Sequence, residues 1–184
     1  MPGSKCAGTV LQIAVLGFAL TAAVAQAQAE DPKAVSANMI NTSGDLVAKV
    51  SLERVAQGTH VVLSGNGLPP GIHAFHIHET GTCDPADGFK SAGGHFNPGG
   101  TQHGWNNPAG HHAGDLPNVH VGENGVAAVE VFMAVDVLAA GTGNLLDADG
   151  AAMVMHQGAD DYASDPAGAA GDRIACGVIK AGGG

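Results

Sequence analysis

The chain has 184 residues, enough for one domain with a core that buries most of its apolar surface, and it carries a formal net charge of -10. That acidic balance, with no basic run to contradict it, favours solubility and excludes nucleic acid and anionic membrane surfaces as natural partners.

Residues 1–29 read as a secretory signal peptide and 30–184 as a single domain. Lys5 supplies a short positive start, 10–24 is an apolar run, and Ala25-Gln26-Ala27 and Ala27-Gln28-Ala29 each offer a small-x-small cleavage site. An uncleaved anchor would need a span of about 20 apolar residues, longer than this run. Cleavage after Ala27 or Ala29 removes Lys5, takes the charge from -10 to -11, and leaves a periplasmic or secreted chain with no membrane attachment. Cys6 leaves with the signal and does not sit where a lipidated cysteine would. The mature chain keeps Cys83 and Cys176, and an even pair in an exported protein argues for one disulfide, with two free buried thiols as the alternative. Closing that loop would stabilise the fold by roughly 4 to 5 kcal/mol in the chain-entropy model, less any strain.

Along the mature chain, residues 34–40, 46–55, 59–63 and 71–78 carry short β-like stretches. They are punctuated by Thr42-Ser43-Gly44-Asp45, Gln57-Gly58, Gly65-Asn66-Gly67 and Pro69-Pro70-Gly71. Four more follow at 118–121, at 126–133 across the Glu123-Asn124-Gly125 turn, at 151–156 and at 173–180. Short strands at close spacing with glycine turns predict an all-β barrel or sandwich, and no helix-length amphipathic pattern stands out, the alanine-rich stretch 134–140 being ambiguous.

The histidines carry the chemistry. In the stretch 71–78 side chains alternate faces, so His76 and His78 point one way while His73, Phe75 and Ile77 point the other. Two imidazoles two residues apart on one face can chelate an ion, whereas His73 shares the apolar face and is read as buried and hydrogen-bonded. Residues 79–115 have no periodicity; glycines and prolines are mixed with Cys83, His95, His103, His111, His112 and Asp115. A structureless loop this long is functional or disordered, and a disulfide with a metal ion would supply the ordering energy its missing apolar residues cannot. A second aperiodic segment, 157–171, separates His156 from Arg173. His60 and His120 fall within strands and are expected to be hydrogen-bonded or partly exposed.

Five blocks in order, G-I-H-A-F-H-I-H-E, G-G-H-F-N-P, H-H-A-G-D-L, M-V-M-H-Q-G-A-D-D and G-D-R-I-A-C-G-V-I, resemble an exported bacterial copper/zinc superoxide dismutase across nearly the whole mature chain. The resemblance implies an eight-stranded Greek-key β-barrel, a flattened sandwich, with two long loops over a binuclear metal site. It implies copper bound by His76, His78, His95 and His156, and zinc bound by His95, His103, His112 and Asp115, with His95 shared. Four imidazoles suit Cu(II), and three nitrogens with one carboxylate suit tetrahedral zinc. It further implies that Asp160 links His76 to His103, as metal-bound imidazoles commonly donate their other N–H to such a carboxylate. Asp161 is read as a solvated acid. Arg173 matches the family's anion-guiding arginine, and the counterpart of His95 is thought to take up a proton and pass it to the reduced product. His111 matches no family ligand.

The implied reaction converts two superoxide anions and two protons to dioxygen and hydrogen peroxide. A chain this acidic must attract an anion by local positive potential at Arg173, the metal ions and Lys90, acting over about one Debye length, ~8 to 10 Å. The alternative is a non-catalytic periplasmic copper and zinc binding or delivery protein, which the ligands alone do not exclude but which has no use for an anion guide. The family includes both monomers and homodimers.

Overall fold

A computed structural model of the chain describes residues 1, 3, 32–141 and 143–182. The expected signal peptide, with its apolar run and both cleavage sites, lies outside the described residues apart from Met1 and Gly3. Among those described, no helix is long and apolar enough to cross a membrane.

The fold is all-β. Its strands are β1 (Ala34–Asn41), β2 (Leu46–Val55), β3 (Gly58–Asn66), β4 (Gly71–His73), β5 (Phe75–His78), β6 (Val119–Val121), β7 (Val126–Met133), β8 (Ala152–His156), β9 (Arg173–Val178) and β10 (Lys180–Ala181). Each of the eight stretches expected from the sequence forms a strand, but 71–78 breaks at Ala74 and 173–180 breaks at Ile179. The stretch 134–140 forms turns and bends, not a helix.

Strands β1, β2 and β3 form a meander whose buried positions alternate as a half-buried sheet requires: Val35, Ala37 and Met39 on β1, Val50 and Leu52 on β2, Val61 and Leu63 on β3. The main sheet runs β5-β8-β9-β1-β2-β3-β7, with β10 pairing β1, so the chain leaves β3 for the far edge and later returns to lay β7 against β3 and β9 against β1. This is Greek-key connectivity.

The break at Ala74 divides the stretch between two sheets. β5 pairs β8 in the main sheet, while β4 pairs β6 in a separate ribbon, and β6 leads directly into β7 at the sheet's other edge. Ala74 itself donates to Gly158 O at 2.8 Å and accepts from His156 N at 2.9 Å. Phe75 and Ile77 enter the core with Met39, Leu52, Leu63 and Met153.

β8 is buried on both faces, as its unbroken apolar run demands. Met153 and Met155 face the main core, and Ala152 and Val154 meet a second cluster with Phe89, Ala92 and Cys176. That second cluster sits under the loop 79–94, which the Cys83–Cys176 disulfide fastens to β9. Within this loop lie two single-turn 3₁₀ helices that the sequence reading missed, Pro85–Asp87, capped by Asp84 Oδ1 accepting from Ala86 N, and Lys90–Ala92.

Candidate metal centre

Four imidazoles meet outside the main core. β5 supplies His76 and His78, the end of β8 supplies His156, and a bridge between His78 and His95 brings in the long loop. Their outward nitrogens are all committed. His76 Nε2 donates to Asp160 Oδ2 at 2.8 Å, His78 Nδ1 donates to Gly93 O at 3.0 Å, and His156 Nδ1 donates to Gly171 O at 3.2 Å. Because these acceptors fix the tautomers, the inward nitrogens carry lone pairs.

Those lone pairs have nothing to hold in the protein itself. His76 Nδ1 and His95 Nε2 are buried without a hydrogen-bond partner, and His78 Nε2 faces His156 Nε2 at 3.4 Å. Lone pairs aimed at one another repel unless a cation lies between them, so the donor set fits a nitrogen-loving metal ion such as copper. His76, His78, His95 and His156 each bring one nitrogen within 4.8 Å of the others.

A second donor set shares His95. The Nδ1 atoms of His95, His103 and His112 lie 2.8, 3.0 and 3.3 Å from Asp115 Oδ1. Asp115 Oδ2 is held by the backbone N–H groups of Gly104 and His112, each at 3.0 Å, so the carboxylate cannot turn away. Three imidazole nitrogens and one carboxylate oxygen, all buried, fit a closed tetrahedral zinc site.

Asp160 joins the two sets, accepting from His76 Nε2 through Oδ2 and from His103 Nε2 through Oδ1 at 3.0 Å. Gly168 makes room for it: at φ +63°, a Cβ there would collide with Asp160 Oδ1 and His103 Nε2. Asp161 is exposed and caps its own turn through the N–H groups of Ala163 and Ser164.

Burial favours the neutral imidazole at His76, His78, His156 and His112. Burial drives His76 down to about 4, against the pull of Asp160, and burial with the neighbouring His76 takes His156 to about 3. Burial lowers His78 well below the ordinary range and His112 less far. His103 moves the other way, since burial is outweighed by the Asp160 and Asp115 carboxylates. Burial would raise both carboxyls, but hydrogen bonds from His76 and His103 hold Asp160 at about 2, and those from His95 and two backbone amides hold Asp115 well below the carboxylate range.

Arg173, half-buried at the start of β9, donates Nη1 to Phe89 O and Nη2 to Gly93 O, each at 2.6 Å. Burial lowers its pKa from the ordinary arginine value, opposed by the charge of Asp87. Lys90 is exposed on the turn between those two carbonyls.

The other histidines stay outside both sets. His73 is buried between His156 O and Pro69 O, each at 2.9 Å, His60 reaches Glu130 at 2.6 Å and stacks on Phe132, and His120 is exposed. His111 stacks on Trp105 with ring centroids 3.6 Å apart. Sequence reasoning missed Asn118 and Tyr162: Asn118 reaches Asp160 and the Tyr162 hydroxyl across 42 and 44 residues, which leaves no local pattern.

The family model described as copper/zinc superoxide dismutase matches residues 46–179. The chain is 49% identical over 146 residues to a superoxide dismutase [Cu-Zn] of Aquifex aeolicus, covering 78% of this chain and 85% of the relative. It is 44% identical over 146 residues to a superoxide dismutase-like protein of Bacillus subtilis, covering 77% and 73%. Among solved structures, the SOD-like protein from Bacillus subtilis is similar at a TM-score of 0.72 and 41% identity, covering 78% of this chain and 96% of that one. The Cu/Zn superoxide dismutase from Brucella abortus is similar at a TM-score of 0.65 and 30% identity, covering 80% and 99%. With its all-β Greek-key fold and its two histidine-rich donor sets, the chain belongs to the copper/zinc superoxide dismutase family.

Proposed function

We propose that the chain dismutes superoxide outside the cytoplasm, with copper held by His76 Nδ1, His78 Nε2, His95 Nε2 and His156 Nε2, and zinc by the Nδ1 atoms of His95, His103 and His112 with Asp115 Oδ1. The observation that carries this reading is the ring of His95, whose Nδ1 belongs to one donor set while its buried Nε2, unpartnered, belongs to the other. When bound, copper supplies one-electron exchange as Cu(II)/Cu(I), and zinc supplies a charge without redox chemistry. The net reaction turns two superoxide anions and two protons into dioxygen and hydrogen peroxide.

The chain's own residues do the rest. Depressed pKa values leave His76, His78 and His156 as neutral donors at physiological pH. Asp160 fixes the tautomers of His76 and His103 at once. Arg173 presents a permanently charged fork beside the histidine cluster and draws the anion in against the chain's net negative charge. His95 Nε2 is the atom that takes up a proton and delivers it to the reduced product. The apolar run and small-x-small sites within 1–29 support export to the periplasm or beyond, an oxidising setting in which the Cys83–Cys176 disulfide would persist.

Reconstitution with copper and zinc tests the reading. Two metals bound per chain with rapid superoxide consumption is the expected result. Two metals bound with no consumption would assign the chain to metal binding or delivery instead.

A further inference from the structure

The aim of the Asp160 carboxylate depends on two residues to which the dismutase reading gives no part. Asn118, just ahead of β6, grips the Asp160 main chain from both sides: its Oδ1 accepts from Asp160 N at 2.8 Å and its Nδ2 donates to Asp160 O at 2.9 Å. Asn118 is itself anchored to the barrel, because the next residue, Val119, is fully buried and pairs with His73.

Tyr162 closes the circuit. It adopts φ +60°, a left-handed conformation that a residue with a Cβ takes only when its surroundings impose it. That conformation aims Tyr162 N–H at Asp160 Oδ1, 2.7 Å away, while the Tyr162 hydroxyl accepts from Asn118 N at 2.8 Å. The carbonyl of Tyr162 accepts from Asn106 N at 2.8 Å, and the loop carrying His103 passes so close that a Cβ at Gly104 would strike that carbonyl. A ring of hydrogen bonds therefore runs from Asn118 through Asp160 to Tyr162 and back, with His103 and its loop resting on it.

We propose that Tyr162 and Asn118 are positioning residues that set the direction of the Asp160 carboxylate, and thereby how firmly His103 is presented to zinc and His76 to copper. The proposal rests on the metal assignments given above. Neither residue touches a metal donor atom; both act through Asp160.

The test is the rate at which the copper- and zinc-loaded protein releases zinc to excess chromogenic chelator, read without superoxide. Tyr162→Phe removes only the hydroxyl, and Asn118→Ala removes the main-chain grip. Tyr162→Phe is expected to release zinc about five-fold faster, the scale of one lost hydrogen bond, and Asn118→Ala, which loses two, at least about five-fold faster. In an Asp160→Asn background both substitutions are expected to change the rate by less than about two-fold, because contacting residues that act through one group are non-additive. The copper paramagnetic resonance signal of Tyr162→Phe should move in the direction taken by Asp160→Asn. Wild-type release in Tyr162→Phe and Asn118→Ala overturns the proposal, and so does equal acceleration with and without Asp160. Should Tyr162→Phe fail to fold, Asn118→Ala decides. Lost dismutation with the coupling intact would sink the functional reading alone, and wild-type release with normal dismutation would sink this inference alone.

Discussion

His78 and Arg173 converge on a single atom. His78 Nδ1 donates to the Gly93 carbonyl at 3.0 Å, and Arg173 Nη2 donates to the same oxygen at 2.6 Å. The proposed anion guide and a proposed copper ligand are thus fixed by one loop residue, so a change at Arg173 acts on field and geometry together. Arg173→Ala is expected to lower the second-order rate constant for superoxide by roughly ten-fold or more and to flatten its dependence on ionic strength. Arg173→Lys restores charge without the fork and should recover only part of the rate. An unchanged rate constant and salt slope in Arg173→Ala would remove the guiding role.

The charge of Asp87 opposes the burial that lowers the Arg173 pKa, so its carboxylate offsets part of the local positive field. Asp87→Asn should raise the second-order rate constant by about two-fold at low salt, with the gain fading as salt is added. Stopped-flow decay of superoxide at several ionic strengths reads this directly, and a slower variant would contradict it.

The metal-free protein should weaken as it is acidified. His76, His78 and His156 have folded-state pKa values below their ordinary 6.5, two of them at about 4 and about 3. The unfolded chain therefore takes up protons that the folded chain refuses, and their stabilisation is complete above 6.5 and lost as pH falls towards those values. His112, lowered less far, adds to this, and His103, whose pKa is raised, acts in the opposite sense, but it is one group against four. The denaturation midpoint of the metal-free protein is expected to fall between about pH 7 and about pH 4.5. A midpoint that holds or rises across that window would contradict the burial argument.

Cys83→Ser with Cys176→Ser should lower stability by up to roughly 4 to 5 kcal/mol, read from chemical denaturation under oxidising conditions. Because the lost bond fastens the loop that carries Phe89 and Gly93, the double variant should also lose dismutation rate through Arg173. Full stability with full rate would mean that the apolar cluster of Phe89, Ala92 and Val154 holds the loop unaided.

Gly168→Ala would push a methyl group onto Asp160 Oδ1 and His103 Nε2 at a left-handed backbone position. Zinc affinity is expected to fall about ten-fold or more, the lower end of what losing such a partner commonly costs. Equilibrium competition with a zinc chelator measures it, and wild-type affinity would show that Asp160 can move aside without consequence.

The alternation of Val35, Ala37 and Met39, and of His76 with His78, was legible because a strand's period of two is local. The composition of the loop indicated only that a metal ion could order it, since glycine-rich loops dense in histidine have few other ways to become ordered; the choice of His95, His103, His112 and Asp115, without His111, came from the resemblance of the sequence blocks to the family. The break at Ala74 was not legible, because it arises from partners, β6 and β8, that belong to different sheets. The 3₁₀ turns around Lys90 are set by a disulfide and an arginine 93 and 84 residues away from their partners. Asn118 stayed invisible for the same reason, its hydrogen bonds to Asp160 and to the Tyr162 hydroxyl being long-range contacts that no spacing announces.

The pairing of Phe75, His76, Ile77 and His78 with Met155, Val154, Met153 and Ala152 leaves this strand a single workable alignment. A slip by one residue would turn two imidazoles into the hydrocarbon interior and offer a phenyl ring and a butyl chain to the metals. Because Ala74 is gripped from both sides by Gly158 and His156, such a slip would also break the seam between the two sheets. Metal uptake therefore doubles as a readout of correct assembly: a copy that misaligned here would present a β-rich body unable to load either ion.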